Sequence, residues 1–242
     1  MTRNAEDKLE IPFIEVAQRC YRLIPSKFPP IDVYRFLESD EIKDAAVRLE
    51  SLTNPRLAAK GRLGASPNPT ERSPRLQNWN HAPFAYPNPE GSRYLGPEFG
   101  VMDVALNEQA AMRMAVLRRE TFLRRTKEAA AGYDMRVLGT PVRGRFADLT
   151  SEPLDMPRDS RWAKGKQLHA SRIDGIAHRL PDAGRATFLA IINPEIIELS
   201  EQETHYRFVW DGKSIRSVYN FSNGEETSRE TIFFDDPNMK AA

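Results

Sequence analysis

The chain has 242 residues, with 35 Lys+Arg against 34 Asp+Glu and a formal charge of +1. Near-neutrality excludes a global basic field as the main argument for nucleic-acid binding, and a single cysteine, Cys20, excludes an intrachain disulfide and a zinc site built on several cysteines. No apolar run approaches the roughly 20 residues that a membrane span needs, and residues 1–7 are polar with no signal-peptide core, so a cytoplasmic protein without a membrane partner is the expectation.

Residues 11–24 read as a short helix or turn leading into a strand at 20–24, stopped by Pro25, Pro29 and Pro30. From 31 to 52, Val33, Phe36, Leu37, Ala45, Ala46, Leu49 and Leu52 recur at helical spacing and predict one amphipathic helix or two short ones. Residues 58–98 hold seven of the eighteen prolines. Loops of this length are functional or mobile. Trp79, Phe84, Tyr86 and Tyr94 argue for a surface excursion packed on the domain rather than a solvated linker.

Residues 99–104 predict a strand. Residues 105–131 predict the strongest helix, with Ala110, Ala111, Met114, Leu117, Phe122 and Leu123 on one face and a stop near Gly132. Strands follow at 133–138 and 143–149, a helix at 160–173, and strands at 175–177, 186–192, 206–210 and 215–221. Asp211-Gly212 joins the last two as a hairpin signal, and 235–242 reads as a polar tail. The sum is one α/β (α+β) domain over 1–242, with its core at about 20–220 and a β-rich C-terminal half.

The phosphate-loop, dinucleotide-fold and zincin motifs are all absent. His81, His169, His178 and His205 share no metal-ligand spacing, so no metal is expected. Cys20 reads as a buried small hydrophobe. Arg113, Arg118, Arg119, Arg124, Arg125 and Lys127 crowd the long helix; the plain reading is a solvated face with Glu120 paired to Arg124 at i,i+4. The sharper reading is a surface for an acidic partner or a nucleotide phosphate. A nucleic-acid module would rest on this helix alone and is not favoured. Tyr21-Arg22-Leu23-Ile24-Pro25 is harder to dismiss, because an arginine inside an apolar strand needs a fixed anion. Two further segments, Gly91-Ser92-Arg93-Tyr94 before Phe99-Gly100-Val101, and residues 171–178 ending in Gly175-Ile176-Ala177-His178, are weak when taken singly.

In order and spacing, these segments resemble the RES-domain family, named for an arginine, a glutamate and a serine. The resemblance also takes in residues 52–57, Arg119-Glu120-Thr121-Phe122-Leu123, Met135-Arg136-Val137, Ala147-Asp148-Leu149 and residues 206–212. It implies a compact ADP-ribosyltransferase-like fold and action on NAD as substrate, by degradation or by ADP-ribosyl transfer. It also implies a toxin of a toxin–antitoxin pair, with an Xre-like antitoxin as partner. Breaking the nicotinamide–ribose bond passes through an oxocarbenium-like transition state. Arginines would hold the pyrophosphate, an aromatic ring would stack on a base, and a carboxylate would steady the developing charge.

Carried over residue by residue, Arg22 and Arg93 match the family's two arginines and are expected to converge on one concave site. The family's tyrosine falls at Met102, its glutamate at Met114 and its serine near Arg179 or Leu180. Asp103, Glu108 and Glu120 are the nearby carboxylates; Glu120 is taken as the catalytic one beside Arg22 and Arg93, with Tyr94 and His178 as the aromatic groups at the ligand. The departures leave two readings: an enzyme of slow turnover, or a catalytically silent relative that binds a nucleotide or a protein.

Overall fold

The computed structural model describes residues 11–26 and 78–234; the helix expected at 31–52, the first part of the proline-rich stretch and the tail at 235–242 lie outside them. Among the described residues the strands are β1 (Phe13–Pro25), β2 (Met102–Ala105), β3 (Ala131–Asp148), β4 (Gly175–His178), β5 (Phe188–Ile191), β6 (Glu201–Trp210), β7 (Ile215–Asn220) and β8 (Glu226–Ser228). The helices are α1 (Asn78–Ala85), α2 (Glu108–Thr126), α3 (Arg158–Ala170) and α4 (Arg229–Phe234), with a short 3-10 turn at Pro194–Ile196. The class is mixed α/β, as the alternation of elements predicts.

The strands hydrogen-bond in the order β1-β2-β5-β4-β3-β6-β7-β8, and β1 also pairs with β3. That extra ladder closes β1, β2, β5, β4 and β3 into a ring. β3 is the shared spine: its first half carries β6, its last residues Phe146–Asp148 pair in parallel with β4, and β1 runs antiparallel along its other flank. Two strands were expected where this single 18-residue strand stands. Pro141 suggests a break, because it has no amide to donate. It falls between the end of the β6 ladder at Gly139 and the start of the β4 ladder at Phe146, where that flank carries only an isolated bridge from Val142 to Ile197. The β1 expectation changes for a related reason: residues 13–25 form one strand because β3 offers a partner at every position from Phe13–Ala147 to Pro25–Met135.

The ring is almost split at one seam. β1 meets β2 at a single register pair, Tyr21 with Ala105, whereas β2 pairs with β5 at four positions. Beyond Tyr21 the two strands part, and α2 lies across the opening.

α2 starts where Asn107 caps the backbone amide of Ala110 at 2.8 Å and stops at Lys127, which takes a left-handed φ of 53°. Its core face holds Ala110, Ala111, Met114, Val116 and Leu123. Phe122, expected on that face, is 54% exposed. The arginines of this helix are a solvated row only in part: Arg118, Arg124 and Arg125 are exposed and Arg124 pairs with Glu120 at i,i+4, as expected. Arg113 is buried and donates to the Ile232 carbonyl at 2.6 Å, Arg118 reaches Asp103, Arg124 reaches Glu120, and Arg119 lies between the rings of Phe122 and Tyr133.

The described part of the proline-rich stretch forms α1, whose Phe84 joins the core with Val16, Cys20, Met102 and Phe146. α3 packs so closely on residues 92–95 that a Cβ on Gly165 would fall on the Tyr94 carbonyl oxygen. The β6–β7 hairpin turns at Asp211-Gly212, with Asp211 Oδ1 accepting from the amides of Lys213 at 2.7 Å and Ser214 at 2.8 Å.

Candidate functional site

Where β1 and β2 part, a cavity of about 190 Å³ opens. Arg22 and Leu23 form its β1 side, Val101 and Asp103 its β2 side, and Met114 and Ala115 of α2 its floor, with Arg118, Pro83, Tyr86 and Asn88 at the edge. The volume is below the roughly 300–1,000 Å³ that encloses a drug-sized ligand.

Arg22 is 9% exposed, and among the described residues it meets no carboxylate. Its Nη2 donates to the Trp79 carbonyl oxygen and its buried Nε has no partner. Burial lowers its pKa to about 10, so the group stays cationic at neutral pH. A buried cation without an anion is costly, and the cavity is where an anion can arrive.

Asp103 faces Arg22 across the opening, with its side chain 7% exposed. Ser92 Oγ donates to its Oδ1 at 2.8 Å, and Arg118 Nη2 donates to its Oδ2 at 2.6 Å. Arg118 is 45% exposed, so this guanidinium stands at the mouth with one carboxylate oxygen engaged and other N–H groups open to a ligand. Met102, on the other face of the same short strand, is fully buried in the core. Successive strand residues point to opposite faces, so residue 103 and not residue 102 presents its side chain to the cavity. Met114 is both cavity floor and core, leaving that part of the wall without charge.

The other expected site residues stand elsewhere. Arg93 is not in the cavity wall; its Nη2 donates to the Leu154 carbonyl at 3.0 Å and its guanidinium lies 5.7 Å from the Tyr94 ring centre. The structure therefore does not bring Arg22 and Arg93 to one wall. Tyr94 is 1% exposed and packs with Leu149, Leu168 and Ile176, so its ring faces the core and not a ligand. His178 is also buried, between the rings of Tyr94 at 5.9 Å and Phe188 at 6.1 Å. Burial pushes its pKa down to about 4 against the opposing pull of the Asp103 carboxylate, so the imidazole is neutral at physiological pH.

Glu120 is corrected most fully. It is 1% exposed, and both oxygens are taken: Oε1 by the Ile215 amide at 2.9 Å and Arg229 Nε at 2.9 Å, Oε2 by Arg124 at 2.9 Å and Arg229 Nη2 at 3.2 Å. It joins α2 to β7 and α4 and does not reach the cavity. Glu108 accepts from the Tyr206 hydroxyl at 2.6 Å beside a second, larger cavity of about 450 Å³. That cavity has no arginine or lysine in its wall, and its one charged side chain is the Glu108 carboxylate.

Of the three carboxylates, only Asp103 lies in the cationic cavity. Arg118 and Asp103 were each visible in the sequence, but their pairing required the sheet. Among the described residues no group of three or more His, Cys, Asp or Glu could hold a metal, and no helix is long and apolar enough to cross a membrane.

Fold and site together define an α/β domain whose split sheet holds a small cavity flanked by two guanidinium groups and one carboxylate. Residues 70–211 match the RES domain, and the chain is 41% identical over 220 residues to the uncharacterized protein y4oC of Sinorhizobium fredii (strain NBRC 101917 / NGR234), covering 90% of this chain and 95% of that one. The chain belongs to the RES-domain family. A chain of the crystal structure of the M. tuberculosis MbcT–MbcA toxin–antitoxin complex aligns with it at 14% identity and a TM-score of 0.39, over 79% of this chain and 86% of that chain.

Proposed function

We propose that the chain acts on NAD at the β1–β2 opening, as the toxin of a toxin–antitoxin pair whose Xre-like antitoxin covers the same opening. The observation that supports this best is Arg22: a buried guanidinium in a cavity wall, with no carboxylate partner among the described residues. The toxin role is what the family resemblance implies.

In this reading Arg22 and Arg118 engage phosphate oxygens of the dinucleotide, and the ribose lies against Asp103. Cleavage of the bond from ribose C1′ to the nicotinamide nitrogen sends its electron pair to the ring, so nicotinamide leaves neutral and the sugar becomes an oxocarbenium ion. Asp103, fixed by Ser92 and Arg118, steadies that cation electrostatically. Water, phosphate or an acceptor side chain then closes on C1′.

Two features slow the step. Met114 brings a thioether where a second charge would help, and Arg118 already offsets part of the Asp103 charge. Binding and turnover therefore separate: a measurable dissociation constant with little nicotinamide released. The same features support the second reading, a silent nucleotide binder.

Incubating the purified chain with NAD, while following binding by calorimetry and nicotinamide by chromatography, tests both. Binding that disappears in Arg22→Ala, with slow nicotinamide release, fits the proposal. Binding with no release at any enzyme concentration selects the silent reading, and absence of binding defeats both.

A further inference from the structure

Eight buried side-chain nitrogen or oxygen atoms among the described residues have no hydrogen-bond partner, and four of them lie at one place: Arg22 Nε, Ser26 Oγ, Trp79 Nε1 and Arg136 Nε. Native structures leave few such atoms, and a local group of them needs an occupant.

The register explains the grouping. Arg22 opposes Leu138 and Ile24 opposes Arg136 in the β1–β3 ladder. Residues two apart on a strand share a face, as do directly opposed residues. Arg22 and Arg136 are thus diagonal neighbours on one face of the sheet, with positions about 7–8 Å apart. Trp79 of α1 joins them: its carbonyl accepts from Arg22, and its ring lies 5.6 Å from the Arg136 guanidinium.

Arg136 is 2% exposed and, like Arg22, meets no carboxylate among the described residues. Its Nη1 donates to Gln202 Oε1 at 2.8 Å and its Nη2 to the Ser26 carbonyl at 2.9 Å. These neutral acceptors orient the fork without cancelling its charge. By contrast, Arg19 and Arg207 of the sheet and Arg229 of α4 each meet a carboxylate. Two buried cations side by side repel each other, and an anion between them reverses the sign of that interaction.

We propose that Arg22 and Arg136, with the Ser26 hydroxyl and the Trp79 indole N–H, form a cradle for a diphosphate next to the Arg22 wall of the cavity. Arg136 here takes the part of the second guanidinium that Arg93 was expected to play. The cradle rests on the NAD reading and deepens it by adding Arg136, Ser26 and Trp79 to the Arg22 and Arg118 already set against the phosphates, yet it would take inorganic pyrophosphate equally well.

The test uses the ¹⁵N-labelled full chain at constant ionic strength, following the Trp79 indole resonance assigned with Trp79→Phe. Sodium pyrophosphate, NAD and nicotinamide riboside, which lacks the diphosphate, are titrated in turn. The resonance should move saturably with pyrophosphate and with NAD but not with the riboside. The dissociation constant should rise about tenfold or more in Arg136→Gln and stay unchanged in Arg207→Gln, which alters an exposed pair.

A silent Trp79 resonance, or pyrophosphate bound equally tightly by Arg136→Gln, overturns the cradle. Should Arg136→Gln fail to fold, Ser26→Ala removes one donor and no charge; a few-fold weakening supports the cradle and unchanged affinity overturns it. Pyrophosphate bound at Trp79 with NAD ignored would leave the cradle standing and remove the NAD reading. NAD bound with Trp79 and Arg136 uninvolved would do the reverse.

Discussion

Glu120 of α2 and Asp103 of β2 are each held by an arginine of α2, Arg124 and Arg118, to different ends. Glu120 is enclosed, with four donors on its two oxygens from Arg124, Arg229 and the Ile215 amide. Asp103 has one hydroxyl and one guanidinium, and that guanidinium is 45% exposed. The first group is complete as the chain folds; its charge is spent on joining α2 to β7 and α4. The second is open on the side that faces Arg22, a cation without an anion. The difference separates structure from function in a chain full of arginines: the number of charged partners matters less than which groups still lack one.

The largest effect that would sharpen this contrast is on stability. Glu120→Ala leaves the buried Ile215 amide without its acceptor and two partly exposed arginines without their shared carboxylate, at a cost of roughly 1.5–3 kcal/mol. Urea unfolding should show that loss, while Asp103→Asn, which retains an acceptor for Ser92, should cost far less. Equal costs would erase the distinction.

The same pair should reverse its order in chemistry. If turnover of NAD is detectable, Asp103→Asn should reduce nicotinamide release by about 100- to 1,000-fold, the usual effect of losing one preorganised charge, with NAD affinity kept. An Asp103→Asn protein that turns over like its parent would make the carboxylate incidental.

His178 probes the rear of the opening. Its folded pKa is about 4 against an ordinary 6.5, so below pH 6.5 the unfolded chain takes up a proton that the native one refuses. This contribution is whole above about 6.5, is lost as pH falls towards 4, and is level below that. The loss is on the order of 3 kcal/mol. His178→Phe, which suits the space between Tyr94 and Phe188, should flatten that limb of the stability–pH curve; an imidazole titrating near 6.5 by NMR would contradict the burial argument.

The smallest effect belongs to Arg125 and Glu90, an exposed pair with both side chains about half accessible, 56% and 51%. Arg125→Ala should leave the unfolding midpoint unchanged within error, because such pairs trade attraction for side-chain freedom and are screened by salt.

Parts of this arrangement can be read along the chain and parts cannot, for definite reasons. The Asp211-Gly212 hairpin and the span of α2 are local: turn chemistry and helical period decide them. Arg22 is conspicuous because its neighbours in sequence are apolar. Asp103 is harder, since Met102–Ala105 is buried on both faces and lacks the alternation that would tell which residue faces a cavity. Glu120 misleads because its i,i+4 partner suggests a surface pair, and only Arg229 and Ile215, about a hundred residues on, enclose it. Arg136 falls in a segment of the resemblance, Met135-Arg136-Val137, but nothing along the chain shows its surroundings: Ser26, Trp79 and Gln202 come from three distant segments.

The lone Tyr21–Ala105 pairing has a consequence for how the molecule breathes. A ring joined by one rung on one side is the place where the barrel can unzip first, and slow amide exchange should fade there before it fades along β3. A molecule anchored to Arg22 on one lip and to Arg118 or Asp103 on the other would act as a bolt across the gap. At a hundred times its dissociation constant such a bolt adds about 2.7 kcal/mol to the folded state. The melting temperature of the protein then becomes a meter for occupancy, and exchange rates at the two lips show whether the bolt spans both.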